Sequence, residues 1–245
     1  MWFLLSTLAL AGDPVERVNI ELSCGSVEVS AGEFSVVGDA EVTRSGRVRI
    51  RDRSPQACVD LSVTMPRGAR LSFESISGSM KVAGLSGRVD FRSVSGDLEI
   101  AKNKHSPVHV EAHSVSGDLD LHVGKGAEVD AESVSGRIGI CGGPVSAIDA
   151  SAMSGRIAVA VKTTAESRIE AEAHGGPLVV QLDRAPGRLH VETFAGKIEN
   201  QLTEDAPQRG VVGSQLMVDH DRGPSVELET FAGKIRLQSL TEECP

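Results

Sequence analysis

The sequence predicts an all-β protein, a single-domain β-solenoid (β-helix-like) built from stacked two-strand coils of ~20 residues. Three observations predict it. A Ser-x-Ser-Gly phrase recurs at near-constant spacing, apolar residues fall in fixed columns around its glycine, and polar residues alternate with them.

Ser-Val-Ser-Gly stands at residues 93–96, 114–117 and 133–136, with relatives at 75–78, 152–155, 193–196 and 230–233. With Gly176 as a weaker member, the marker glycines are 78, 96, 117, 136, 155, 176, 196 and 233, separated by 18, 21, 19, 19, 21, 20 and 37 residues. The last interval is expected to hold two units, one of them degenerate, near Gly213.

Seven residues before each marker stand Leu71, Val89, Val110, Val129, Ile148, Ile169, Leu189 and Val226. Two after it stand Met80, Leu98, Leu119, Ile138, Ile157, Leu178, Ile198 and Ile235, and four after it the column is again apolar except for Asn200. A period of two is the strand signal. One such unit cannot bury a core alone, but stacking turns each column into a continuous apolar ladder. The marker glycine sits at the turn, where positive φ or close backbone approach is expected. Serines one and three residues before it are placed to satisfy turn amides. Val89, Phe91, Val94, Leu98, Ile100, Val115, Leu119, Val134, Ile138 and Ile157 are therefore expected inside, with Asp90, Glu99, Asp118 and Arg137 outside.

The chain divides accordingly. Residues 1–11 are apolar apart from Ser6 and Thr7 and end in Ala9-Leu10-Ala11, a small-x-small pattern that predicts a cleaved signal peptide. Residues 17–69 read as an irregular β capping region, closed by the break Met65-Pro66-Arg67-Gly68. Residues 70–240 form the regular array of the same domain. Four cysteines suit an oxidising compartment and allow three pairings. Cys24 and Cys58 share the capping region and are expected to pair; Cys141–Cys244 follows by elimination.

Composition narrows the function. Asp and Glu number 34 against 25 Lys and Arg, which disfavours an electrostatic grip on nucleic acid. Six Phe, one Trp and no Tyr leave few rings for stacking bases or sugars. No cysteine lies in a CxxC, and no nucleophile–base arrangement stands apart from the repeats, so neither a catalytic residue nor a cofactor is assigned. His109 and His113, four apart on a strand, are too distant from each other for one metal. His174, two before Gly176, reads as a core or edge histidine.

Chemistry concentrates in outward columns. Six residues before the marker the series is Ser72, Asp90, Glu111, Asp130, Asp149, Glu170, His190 and Glu227. Asp90, Glu111, Asp130, Asp149 and Glu170 form an acidic stripe, the candidate cation-binding feature. It serves either to keep a long sheet soluble or to hold a cation: weak Ca²⁺ through oxygen ligands, or a basic peptide or polymer. Four before the marker come Glu74, Glu132, Glu172, Glu192 and Glu229, interrupted by Arg92 and His113. One after it come Ser79, Asp97, Asp118, Arg137, Arg156, Pro177, Lys197 and Lys234.

From about Val59 to Leu237, the stretch VDLSVTMPRGARLSFESISG followed by SVSGDLEI-type units resembles a bacterial family of β-strand-repeat proteins of unknown function, described as adhesin-like. The resemblance implies an envelope-associated solenoid and carries over no catalytic residue. The expected function is a non-enzymatic binding or structural module of the cell envelope, exported to the periplasm or cell surface. The sequence does not name the ligand; the candidates are a cationic peptide, a polymer or an envelope protein, with no nucleic acid and no transmembrane span expected once the signal peptide is removed. The alternatives are a carbohydrate-active parallel β-helix enzyme and a scaffold that polymerises end to end.

Overall fold

The computed structural model describes residues 15–45, 47–54, 57–210, 212–220 and 222–241. Segment 1–11 and Cys244 lie outside the described residues, and with them the signal-peptide and Cys141–Cys244 expectations. Twenty strands form one sheet wound into coils, with no helix among the described residues.

Strand β1 (Arg17–Ala31) spans both sides of one coil and stacks in parallel on β6 (Arg70–Ala83), which places Gly25 on Gly78. The array continues through β7 (Arg88–Ser93) with β8 (Leu98–Ile100), then β9 (His109–Ser114) with β10 (Leu119–Val123). Next come β11 (Ala127–Ser133), β12 (Ile138–Ala152), β13 (Ile157–Ala173) and β14 (Leu178–Leu182). The longer strands β12 and β13 each end one coil and begin the next. Every junction in this run is parallel, and equivalent residues of the repeat stack on one another.

The inward columns are the core. Phe73 and Phe91 are fully buried and their rings stack with centroids 5.4 Å apart; Ala112, Ala131, Ala150 and Ala171 continue that column, all buried. The turns form a ladder of their own. Gly96, Gly117 and Gly136 donate their N–H to Ser93, Ser114 and Ser133 Oγ at 2.9, 2.8 and 2.8 Å. Ser116, Ser135 and Ser154 donate their hydroxyls to the carbonyls of Val94, Val115 and Val134 in the preceding coil, at 3.2, 3.1 and 3.0 Å. The marker glycines do not need positive φ. They are required by close approach, since a Cβ on Gly96, Gly117 or Gly136 would overlap the carbonyl of the marker before it.

That turn chemistry corrects one expectation. Val94, Val115 and Val134 are exposed, at 50%, 46% and 42%. Strand alternation carries the serine three before the glycine inward, where its hydroxyl caps the turn, and so turns the next residue out. Leu98, Leu119, Ile138, Ile157 and the other predicted core positions are buried. Of the predicted surface residues Glu99 and Asp118 are exposed, while Asp90 and Arg137 are half-buried.

Stacking order departs from chain order at both ends. The N-terminal strand β1 lies between β6 and a coil made of β4 (Val48–Asp52) and β5 (Leu61–Met65). Outside that coil, β3 (Ala40–Arg44) and β2 (Ser35–Val37) pair antiparallel and close the end. A disulfide joins Cys24 to Cys58 across this cap. At the other end, β19 (Ser225–Thr230) and β20 (Lys234–Ser239) are inserted between the β13–β14 coil and the coil of β15 (Arg188–Thr193) and β16 (Lys197–Asn200). Strand β18 (Ser214–Asp219) then runs antiparallel along β15, with β17 (Gln208–Arg209) beside it. The 37-residue interval is therefore one coil plus an antiparallel cap, rather than two stacked units. Each end is closed by antiparallel strands, where end-to-end polymerisation would call for an open coil.

Candidate functional site

Register turns the outward columns into ladders. Asp90 pairs with Glu111, Glu111 with Asp130, Asp130 with Asp149, Asp149 with Glu170 and Glu170 with Glu227, which pairs in turn with His190. Because the C-terminal coil is inserted, Glu227 extends the acidic run to six consecutive carboxylates before His190 ends it.

The run is unevenly neutralised. At its N-terminal end Arg88 bridges Asp90 (2.5 Å) and Glu111 (2.6 Å), and Arg92 adds a second contact to Glu111 at 2.6 Å. The Arg92 hydrogen bond, more than any other contact, holds the Glu111 carboxyl below its ordinary range. Arg168 contacts Glu170. Between them, Asp130 and Asp149 have no Lys or Arg within ion-pair distance among the described residues. Both carboxyls are pushed up, first by partial desolvation; Asp149 is then raised by Asp130 and Glu170, and Asp130 by Glu132 and Glu111 against the opposing pull of His113. A depression of about 390 Å³ lies over this stretch, lined by Arg88, Glu111, Asp130, Asp149, Arg168 and Glu170 among others.

One grouping escapes the spacing argument. His113 lies beside Glu132 on the next strand, with Nδ1 3.0 Å from a Glu132 oxygen and Nε2 3.3 Å from Glu111. Donor atoms of His113, Asp130 and Glu132 all fall within 4.8 Å of one another. The signal was present in the columns, since His113 and Glu132 share one, but only register shows that the neighbouring carboxylate column converges on the same point. His109 instead meets Glu128 at 3.3 Å.

The column one after the marker is built differently. Asp97 and Asp118 accept the backbone N–H of Asp118 and Arg137, each at 2.8 Å. Arg137 makes its close ion pair with Asp120 at 2.6 Å and reaches Asp118 only at 4.0 Å. Burial pushes the Asp120 carboxyl up, and Arg137 opposes it.

Along the corner of the coil runs an exposed apolar ridge of Ile76, Val94, Val115, Val134, Met153, Phe231 and Phe194. His174 lies between Met153 and Phe231, stacked on the latter at 5.0 Å, and Phe231 stacks on Phe194 at 4.8 Å. A shallow groove of about 1010 Å³ separates this ridge from Glu74, Arg92, His113, Glu132 and Glu172.

The family of this fold follows from comparison. Residues 11–192 match the Toastrack DUF4097 family, and the chain belongs to that family. Two solved structures are similar. One is a candidate adhesin from Bacteroides fragilis, 13% identical, with a TM-score of 0.57 over 96% of this chain and 98% of its own. The other is a candidate cell adhesion protein from Clostridium sporogenes, 8% identical, with a TM-score of 0.28 over 96% of this chain and 98% of its own. A search of the curated proteins finds no match.

Proposed function

We propose that this chain is a non-enzymatic, adhesin-like binding module of the cell envelope, exported to the periplasm or cell surface. Its working feature in this reading is the acidic ladder, which takes an extended cationic peptide or polymer. One observation carries the proposal: six consecutive carboxylates whose centre, Asp130 and Asp149, has no Lys or Arg within ion-pair distance among the described residues. Like charges ~5 Å apart repel by roughly 0.8 kcal/mol even in water, and a ligand with repeated positive charges relieves that repulsion along the whole ladder. The Cys24–Cys58 disulfide supports an oxidising compartment, and the candidate adhesin of the same fold supports an envelope role.

The test is calorimetric titration of polylysine and of Ca²⁺ into the native chain and into Asp130→Asn/Asp149→Asn. Salt-sensitive polylysine binding that the double variant weakens at least tenfold is expected. Equal binding by both proteins, or none by the native chain, would overturn the proposal. Heat from Ca²⁺ alone would replace the cationic polymer with a metal ion.

A further inference from the structure

We propose that the apolar ridge is a self-association surface on which two copies pack side by side, parallel and in register, about a two-fold axis along the solenoid. The proposal does not rest on the acidic ladder. It begins with exposure: seven apolar side chains at one repeat position face solvent, from 42% for Val134 to 64% for Ile76. The three rings at its C-terminal end stack face to face, so their edges point outward. An apolar strip of this kind, broken only where His174 stacks into it, marks an interaction surface, whereas scattered exposed residues would not.

The identity of the partner comes from the charges on either side of the ridge. In each coil, the residue four before the marker glycine lies on one side and the residue one after it on the other. Their signs change together wherever both are Asp, Glu, Lys or Arg: Arg92 goes with Asp97, Glu132 with Arg137, Glu229 with Lys234 and Glu192 with Lys197. Within the chain this match goes unused. Among the described residues no ion pair joins the two columns; Arg92 turns to Glu111, Arg137 to Asp120, and Lys197 and Lys234 both to Glu199.

A two-fold axis parallel to the stack makes use of it. The operation lays the ridge of one copy on the ridge of the other and carries each four-before residue onto the one-after residue of the same coil in the partner copy. Each coil charged in both columns then meets its opposite, Glu74, Glu172 and Arg156 face the uncharged Ser79, Pro177 and Ser151, and no coil meets a like charge. The antiparallel arrangement opposes Glu74 with Glu192 and Arg137 with Arg156, so charge selects the parallel one. Such an isologous contact closes at two copies and leaves both capped ends free. Eight coils at ~4.8 Å spacing give a strip ~34 Å long. A strip of that length and a few side chains wide lies at the low end of specific interfaces, so a weak, concentration-dependent dimer is expected.

Sedimentation of the full chain from 1 to 300 µM is expected to pass from monomer to dimer. Val134→Lys, at an exposed position, should abolish dimer while leaving the thermal midpoint unchanged. Glu192→Lys and Lys197→Glu should each weaken association several-fold, and the double variant should restore it. Orientation is read by oxidising the single variants Val94→Cys, Val134→Cys and Met153→Cys. All three are expected to form covalent dimers, because each residue meets its own counterpart. A monomer throughout the range would overturn the proposal and leave the ridge to a different partner. Failure of the charge swap to restore association, or cross-linking of Val134→Cys and Met153→Cys without Val94→Cys, would overturn the parallel register.

Discussion

A Cβ on Gly136 would stand closer than 3.0 Å to the carbonyl oxygen of Gly117, one coil earlier, and the same holds from Gly96 through Gly176. Backbone stacks on backbone at this corner with no room for a methyl group, and the obstacle is a carbonyl in a hydrogen-bonded turn that cannot move alone. Gly136→Ala is expected to destabilise by at least about 2 kcal/mol. Gly68, with nothing within 4 Å of its hypothetical Cβ, is the control, and Gly68→Ala should be near neutral. Denaturant unfolding of the two variants makes the comparison.

The same corner depends on the residue three before each glycine. Ser133 is 5% exposed and accepts the Gly136 N–H; Thr193 and Thr230 do the same for Gly196 and Gly233, each at 2.9 Å. Ser133→Ala leaves a buried donor without its acceptor and should cost about 1–3 kcal/mol, while Ser133→Thr should be tolerated. The Gly155 coil carries Ala152 at that position, buried and without a hydroxyl. Ala152→Ser is therefore expected to stabilise by about 0.5–1 kcal/mol, measured as a rise in the urea midpoint.

The acidic ladder should show two opposite pH dependences. Asp130 and Asp149 have raised carboxyl pKa values, so the folded state takes up protons before the unfolded one as pH falls. Their ionisation opposes folding above the ordinary Asp range. Asp130→Asn/Asp149→Asn should raise the thermal midpoint at pH 7 by about 2 °C or less, and the gain should fade as pH falls towards 4. Glu111 is depressed by Arg92, so its contribution is present above the ordinary Glu range and is lost as pH falls through its folded value. Glu111→Gln should accordingly lower the midpoint at pH 7 and converge with the native chain in acid. Melting curves between pH 3 and 8 separate the two; parallel behaviour of both variants would contradict this account.

The coil, its columns and the acidic stripe were legible because a parallel stack converts equal repeat position into spatial contact. Position in the repeat thus stood in for a contact map between Leu71 and Ile169. The exposed ridge was misassigned because Val94, Val115 and Val134 are apolar, and only the inward hydroxyl of the preceding serine decides that they face out. The terminal insertions were hidden for a different reason. Coils with equivalent columns are interchangeable neighbours, so column matching cannot say which lies beside which. One residue did carry the information. Asn200 replaces the apolar residue four after the marker, and it bonds Thr203 Oγ1 at 2.7 Å and the Asp205 carbonyl at 2.8 Å. A polar residue at a core position marks the coil at the spatial end, although β19 and β20 follow it in the chain.

That inversion yields the most demanding prediction. In a solenoid stacked in chain order, deleting the last coil strips an end and spares everything before it. Here β19 pairs with β13 on one side and β15 on the other, while β20 lies between β14 and β16. A chain ending at His220 loses an interior layer, and the β15–β16 coil with its antiparallel cap β18 loses its parallel partner. Sheet edges that depend on backbone pairing keep no protection once the pairing strand is removed. Hydrogen exchange should therefore show residues 188–219 as fast as an unfolded chain in the truncated protein, with protection retained from β1 through β12. Leu216→Ala, which weakens only the cap strand, should leave 188–193 protected by β19. Survival of protection over 188–200 in the truncated chain would mean that β15 and β16 redock directly on β13 and β14, and the inserted coil would then be dispensable.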